Sequence, residues 1–161
     1  MKEISRFIDH LECPSLDGII FPDGSIDLLN IEVEWGPPIN YYIKIGEKSS
    51  IKLLETKNKL QWSDCAILIS SIDEKHSIEI LAGEGNYGSD GFVSVIDLSS
   101  RNLIWLAFFK CSNPFNKLEA KHDEIHAVST NGCLWKFRIK NPVYIVVECP
   151  TIGNARSGAG L

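Results

Sequence analysis

One stretch of the chain is apolar at every position. In 103–109, Leu103, Trp105, Ala107 and Phe109 form one alternating set, and Ile104, Leu106 and Phe108 form the other. A strand with apolar side chains on both faces belongs in the middle of a sheet assembly, where each face is covered. The apolar segments before it, 78–82 and 92–98, read as strands of the same assembly, joined by a glycine-rich loop over 83–91. Elsewhere the pattern is one-sided. Ile31, Val33 and Trp35 alternate with Glu32 and Glu34, which predicts a strand with one buried face and two outward carboxylates. Gly36-Pro37-Pro38 turns the chain, and 41–45 returns as the partner strand. Segments 51–55 and 64–70 read as a further pair around Lys57-Asn58-Lys59.

Beyond the central strand, Ser112-Asn113-Pro114 breaks the pattern, and 115–123 reads as an irregular or briefly helical connection. Asn131-Gly132 between 124–129 and 133–139 predicts a tight primed hairpin turn. In its second arm Cys133, Trp135, Phe137 and Ile139 point one way, and Lys136 and Arg138 the other. Asn141-Pro142 turns again before a last strand over 143–147. At the start, Ile4, Phe7, Ile8 and Leu11 line one face of a short helix that Cys13-Pro14 ends. The sum is an all-β fold: an antiparallel β-sandwich or barrel of about ten strands with a short N-terminal helix. It makes one domain over 1–152, followed by a flexible small-residue tail over 153–161. Consecutive pairing also resembles propeller blades, but 161 residues supply only about three or four, at or below the usual minimum, and no internal repeat is present.

Charge sharpens this picture. The chain carries a formal net charge of -5. Residues 1–80 hold 14 acidic and 8 Lys or Arg residues, net -6, against 7 and 8, net +1, in 81–161. That balance disfavours nucleic-acid binding and steers a basic partner toward the N-terminal half. No apolar run approaches the ~18–20 residues that span a membrane, so no membrane association is expected. The start has no secretory apolar region, which makes the expected location cytoplasmic. Five widely spaced cysteines, an odd number without a C-x-x-C pair, argue against a disulfide scaffold and a zinc knuckle. Cys65 and Cys133 sit in apolar patterns and read as buried thiols.

The motifs offer little catalysis. Gly83-Glu84-Gly85-Asn86-Tyr87-Gly88 matches G-x-G-x-x-G, but a strand follows it where a dinucleotide site needs a helix. The strand–loop–strand setting resembles the glycine-rich loop of protein kinases over about 20 residues, yet the other kinase motifs are missing. The loop is therefore read as a hairpin loop with Tyr87 at its tip. His122 and His126 stand four apart, as zinc ligands do, without a third ligand, and are assigned to the surface. Cys111 is the thiol with the most exposed setting, and no activating group accompanies it. Neither cofactor nor metal is expected, and no enzymatic role. The residues expected to face a protein partner are Glu32, Glu34, Asp73, Glu74, Glu84, Tyr87, Asp90, Asp123 and Glu124. Lys136, Arg138 and Lys140 form a basic stripe that protects a strand face from aggregation.

A small, acidic, all-β chain with outward carboxylates and no catalytic constellation is similar, over its whole length, to immunity proteins that neutralise bacterial toxins, such as those of contact-dependent inhibition systems. The resemblance implies a stoichiometric inhibitor that occludes the active site of a toxin domain, often a basic nuclease. Acidic residues would then imitate phosphate, and aromatic residues such as Tyr87 or Trp62 would anchor the contact. The alternative is a small-molecule-binding or enzymatic β-barrel, with its site near 83–91 and His122 to His126.

Overall fold

The computed structural model describes residues 2–151, and the tail assigned to 153–161 lies outside them. The chain order is α1 (Lys2–His10), β1 (Glu12–Pro14), β2 (Gly18–Ile20), β3 (Ser25–Glu34), β4 (Asn40–Ser50), α2 (Ile51–Thr56), β5 (Trp62–Asp64) and β6 (Ala66–Asp73). It continues through β7 (Ile78–Glu84), β8 (Gly91–Asp97), β9 (Leu103–Phe109), β10 (Phe115–Lys121), β11 (Glu124–Ser129), β12 (Leu134–Arg138) and β13 (Val146–Glu148). The expected all-β class is what the chain adopts. Its layers form a sandwich rather than a closed barrel, because the largest sheet is open, in the order β4-β3-β2-β9-β8-β7-β6. A four-stranded sheet, β10-β11-β12-β13, covers one face, and every pairing is antiparallel.

β9 is the fourth of seven strands, as its two-sided apolar pattern predicts. Trp105, Ala107 and Phe109 pack toward the four-stranded sheet with Trp135, Phe137 and Ile139. The Trp105 Nε1–H donates to the Ile139 carbonyl at 2.8 Å, a polar tie through this apolar layer. On the opposite face Leu106 and Phe108 meet Phe7 of α1, Ile51 of α2 and Cys13 of β1, with Trp62 of β5 at the margin. The two-stranded β1-β5 ribbon and the two helices thus form a third layer. Between β8 and β9 strict alternation fails at one point. Val95 pairs with Trp105 but Ile96 pairs with Leu103, so a bulge absorbs Ile104 and turns Leu103 to the helical side.

Several segments differ from the sequence reading: the last strand is Val146–Glu148 rather than 143–147, and the strand expected over 64–70 pairs, as β6, with β7 rather than with 51–55. Residues 51–55 begin a helix, not a strand: the Ser50 hydroxyl accepts the Leu53 N–H at 3.1 Å, and Ile51 and Leu54 face the core three residues apart. The expected connection over 115–123 contains strand β10, whose register slips between Phe115 and Lys117 and hides its alternation. The Asn131-Gly132 turn is not a two-residue primed turn. Gly132, at φ +85, closes a three-residue loop in which the Ser129 N–H donates to the Cys133 carbonyl at 3.0 Å. Asn131 holds it open sideways: its Oδ1 accepts from the Ser129 hydroxyl and the Cys133 N–H, while its amide donates to Tyr41.

Candidate functional site

The β3–β4 hairpin is an arm that runs past the end of β2. On its inner side Ile31, Tyr41 and Ile43 pack on the core shared by the two sheets. On its outer side Glu32 lies across from Tyr42, and Glu34 across from Asn40, all four exposed. Strand geometry sets the two carboxylates about 7 Å apart on one face. Neither carboxylate has an ion-pair or hydrogen-bond partner among the described residues, so both are open to an external cation. Tyr42 is 49% exposed beside them, and Trp35 at the tip is 54% exposed despite its inward place in the sequence pattern. The arm is held near its tip. Tyr41 Oη donates to the Cys111 carbonyl at 2.7 Å and accepts from Asn131 Nδ2 at 3.0 Å. Burial raises the Tyr41 phenol above its ordinary pKa, so it stays protonated for that donation.

A second group of expected partner residues converges elsewhere. His76, in the β6–β7 turn, contacts Asp73 Oδ2 through Nδ1 at 2.7 Å and Asp123 Oδ1 through Nε2 at 2.9 Å. Hydrogen bonds from Asp73 first, then Asp123, raise the His76 pKa, and the same bond lowers that of Asp123. A protonated imidazole here ties the turn of the seven-stranded sheet to the β10–β11 turn of the other. The Asp73 side chain is only 13% exposed, so it faces the histidine and not a partner. Asp123 stays exposed but is already paired, and Glu124 is half-buried beside His126. Glu74 is exposed in the same turn. A cleft of about 320 Å³ between the turns is lined by His76, Asp123, Glu124, Arg138, Lys140 and Asn141. Its charges are of both signs.

The glycine-rich loop forms a third place. Asp90 is 1% exposed, so its expected outward position is corrected. Its carboxylate accepts the Gly85 N–H at 3.1 Å and the Tyr87 N–H at 3.4 Å, while Ser63 Oγ accepts the Asn86 N–H at 2.9 Å. The amides that would cradle a phosphate are thus engaged by the protein's own groups. A β-carbon on Gly85 would stand 2.5 Å from Asp90 Oδ2, which is why glycine is needed there. Tyr87 projects from the tip at 68% exposure, and Glu84 is half-buried at its base. Trp62 is no free anchor, since the Arg6 guanidinium lies 3.9 Å from its ring centroid. A cleft of about 370 Å³ beside the loop includes Lys110 and Cys111. Burial raises the Cys111 pKa, which leaves a protonated thiol rather than a nucleophile.

Cysteine use also differs from expectation. Cys133 is not a free thiol: it is bonded to Cys149 across β12 and β13, with the Cα atoms 4.2 Å apart. The bond borders a cleft of about 320 Å³ that Trp35, Pro37, Pro38 and Pro150 share. His122 sits in a turn at φ +58 and His126 in β11, so the two do not present the common face that their spacing suggests. Among the described residues no group of three His, Cys, Asp or Glu side chains is placed to hold a metal ion. No helix of the described residues is long and apolar enough to cross a membrane.

The nine expected partner residues therefore separate into three places. Glu32 and Glu34 stand on the arm, Asp73, Glu74, Asp123 and Glu124 around His76, and Glu84, Tyr87 and Asp90 in the β7–β8 loop. The sequence reading missed Tyr42 and the clasp at His76. Tyr42 was signalled only by its place opposite Glu32, which needs the register. No family model matches the chain, and neither a curated protein nor a solved structure matches it.

Proposed function

We propose that the chain is a non-catalytic protein-binding domain, an immunity protein that neutralises a basic toxin domain by stoichiometric occlusion. The observation that carries this reading is the outer face of the β3–β4 arm, where Glu32 and Glu34 stand exposed and without partners beside the exposed ring of Tyr42. A rigid strand carrying two carboxylates about 7 Å apart imitates successive phosphates for a nuclease cleft lined by Lys and Arg. Tyr42 supplies the low-entropy aromatic area that such a contact needs at its centre. Asp73, Asp90 and Asp123 drop out of the contact, since each is engaged by the protein itself. Binding of this kind asks for no cofactor. The reading places the protein in the cytoplasm.

The test is a capture from the native host with wild-type protein and the Glu32→Lys/Glu34→Lys variant, at low and high salt, followed by titration of the captured protein. The reading expects a basic protein retained by the wild type alone, released by salt, and inhibited at one equivalent. A captured protein that binds the reversed variant equally well, or whose activity is unchanged by saturating amounts of the wild type, overturns it.

A further inference from the structure

Cys13 and Cys65 are free, yet their sulfurs stand 2.6 Å apart. That is far inside van der Waals contact and about half an ångström longer than a covalent S–S bond of roughly 2.05 Å. The approach is set by backbone. Cys13 of β1 pairs with Ser63 of β5, and the Cys65 N–H donates to the Leu11 carbonyl at 2.7 Å, so Cys13 and Cys65 are diagonal neighbours on one ladder. Cys13 is fully buried and Cys65 half-buried, on the helical side of the seven-stranded sheet.

We propose that Cys13 and Cys65 are a second disulfide site, closed by exchange with a small disulfide of the glutathione class. Cys65, the more accessible sulfur, attacks one sulfur of oxidised glutathione as a thiolate. It forms a mixed disulfide and expels one glutathione thiolate. The Cys13 thiolate then attacks the Cys65 sulfur and expels the second glutathione. Two cysteine thiols become one disulfide, and two electrons and two protons pass to the carrier. Burial, then the hydrogen bond to Cys65, disfavours the Cys13 thiolate, so the second step is slow and accelerates as pH rises. The bond closes a loop between positions 52 apart, which contains the β3–β4 arm. It also locks β5, whose Ser63 holds the Tyr87 loop through the Asn86 N–H. This site stands apart from the binding reading and does not depend on it.

The test counts thiols. Wild-type protein is equilibrated in glutathione buffers from fully reducing to fully oxidising, quenched in acid, alkylated in denaturant and weighed intact. The expected count falls from five alkylated cysteines to three as Cys133–Cys149 closes, and then to one, with a Cys13–Cys65 peptide pair and Cys111 as the remaining adduct. The Cys111→Ser variant should end at none. A count that stops at three, or a Cys65 found joined to Cys111 or held as a stable glutathione adduct, overturns the proposal.

Discussion

The Tyr41→Phe substitution removes one oxygen and nothing else. The ring keeps its place against Trp135, with centroids 5.0 Å apart, so packing is retained. What is lost is the donation to the Cys111 carbonyl at 2.7 Å and the acceptance from Asn131 at 3.0 Å. Each bond contributes about 0.5–1.5 kcal/mol net, so the two together set the scale of the loss. The expected cost is about 2 kcal/mol. With a urea m-value of about 2 kcal/mol/M, the unfolding midpoint falls by about 1 M at unchanged slope. Urea titration followed by far-UV circular dichroism measures it. A cycle with Asn131→Ala isolates the shared bond, and about 1 kcal/mol of coupling is expected, although Asn131→Ala alone costs more because Asn131 also ties Ser129 and Cys133. A midpoint shift below about 0.2 M, or a cycle without coupling, refutes the claim that this hydroxyl anchors the arm to the sandwich.

Other outcomes follow from the same contacts. Cys149→Ser opens a loop between positions 16 apart, and the loss should be about 3 kcal/mol in urea unfolding. His76 has a raised folded pKa, caused by Asp73 and Asp123, so its contribution is complete below the unfolded value of about 6.5. That contribution is lost as pH rises through the folded value, and unfolding midpoints across this window should show the slope in wild type and lose it in His76→Gln. Asp90→Ala leaves the loop amides of Gly85 and Tyr87 without their acceptor and should cost about 1–3 kcal/mol, with faster amide exchange confined to 84–90.

The parts of the fold that were legible in the sequence are those whose signal is local. The two-sided apolar run of 103–109 placed β9 at the centre, and Cys133, Trp135, Phe137 and Ile139 face the core as their alternation indicated. α2 was missed because six residues show less than two helical turns, and Ile51 and Leu53 satisfy a strand pattern equally well. β10 was missed because its bulge puts Phe115 and Leu118 out of alternating phase. The candidate site was legible in one part only. The outward carboxylates Glu32 and Glu34 follow from alternation, whereas burial of Asp90 depends on the path of its own loop. His76 meets Asp123 at a separation of 47 positions, and Cys133 meets Cys149 through the register of β12 and β13. Such contacts are consequences of topology, which a single sequence does not carry.

The central claim is that the arm binds a basic protein through Glu32 and Glu34. It is tested most directly by isothermal titration of the captured partner with wild type, Glu32→Lys/Glu34→Lys and, as a control for overall charge, the exposed pair Glu55→Lys/Glu119→Lys. The account predicts a one-to-one complex that the arm variant weakens by at least about tenfold, roughly 1.4 kcal/mol, with a shallower salt dependence, while the control stays near wild type. Equal weakening by both variants, or none by the arm variant, would contradict it.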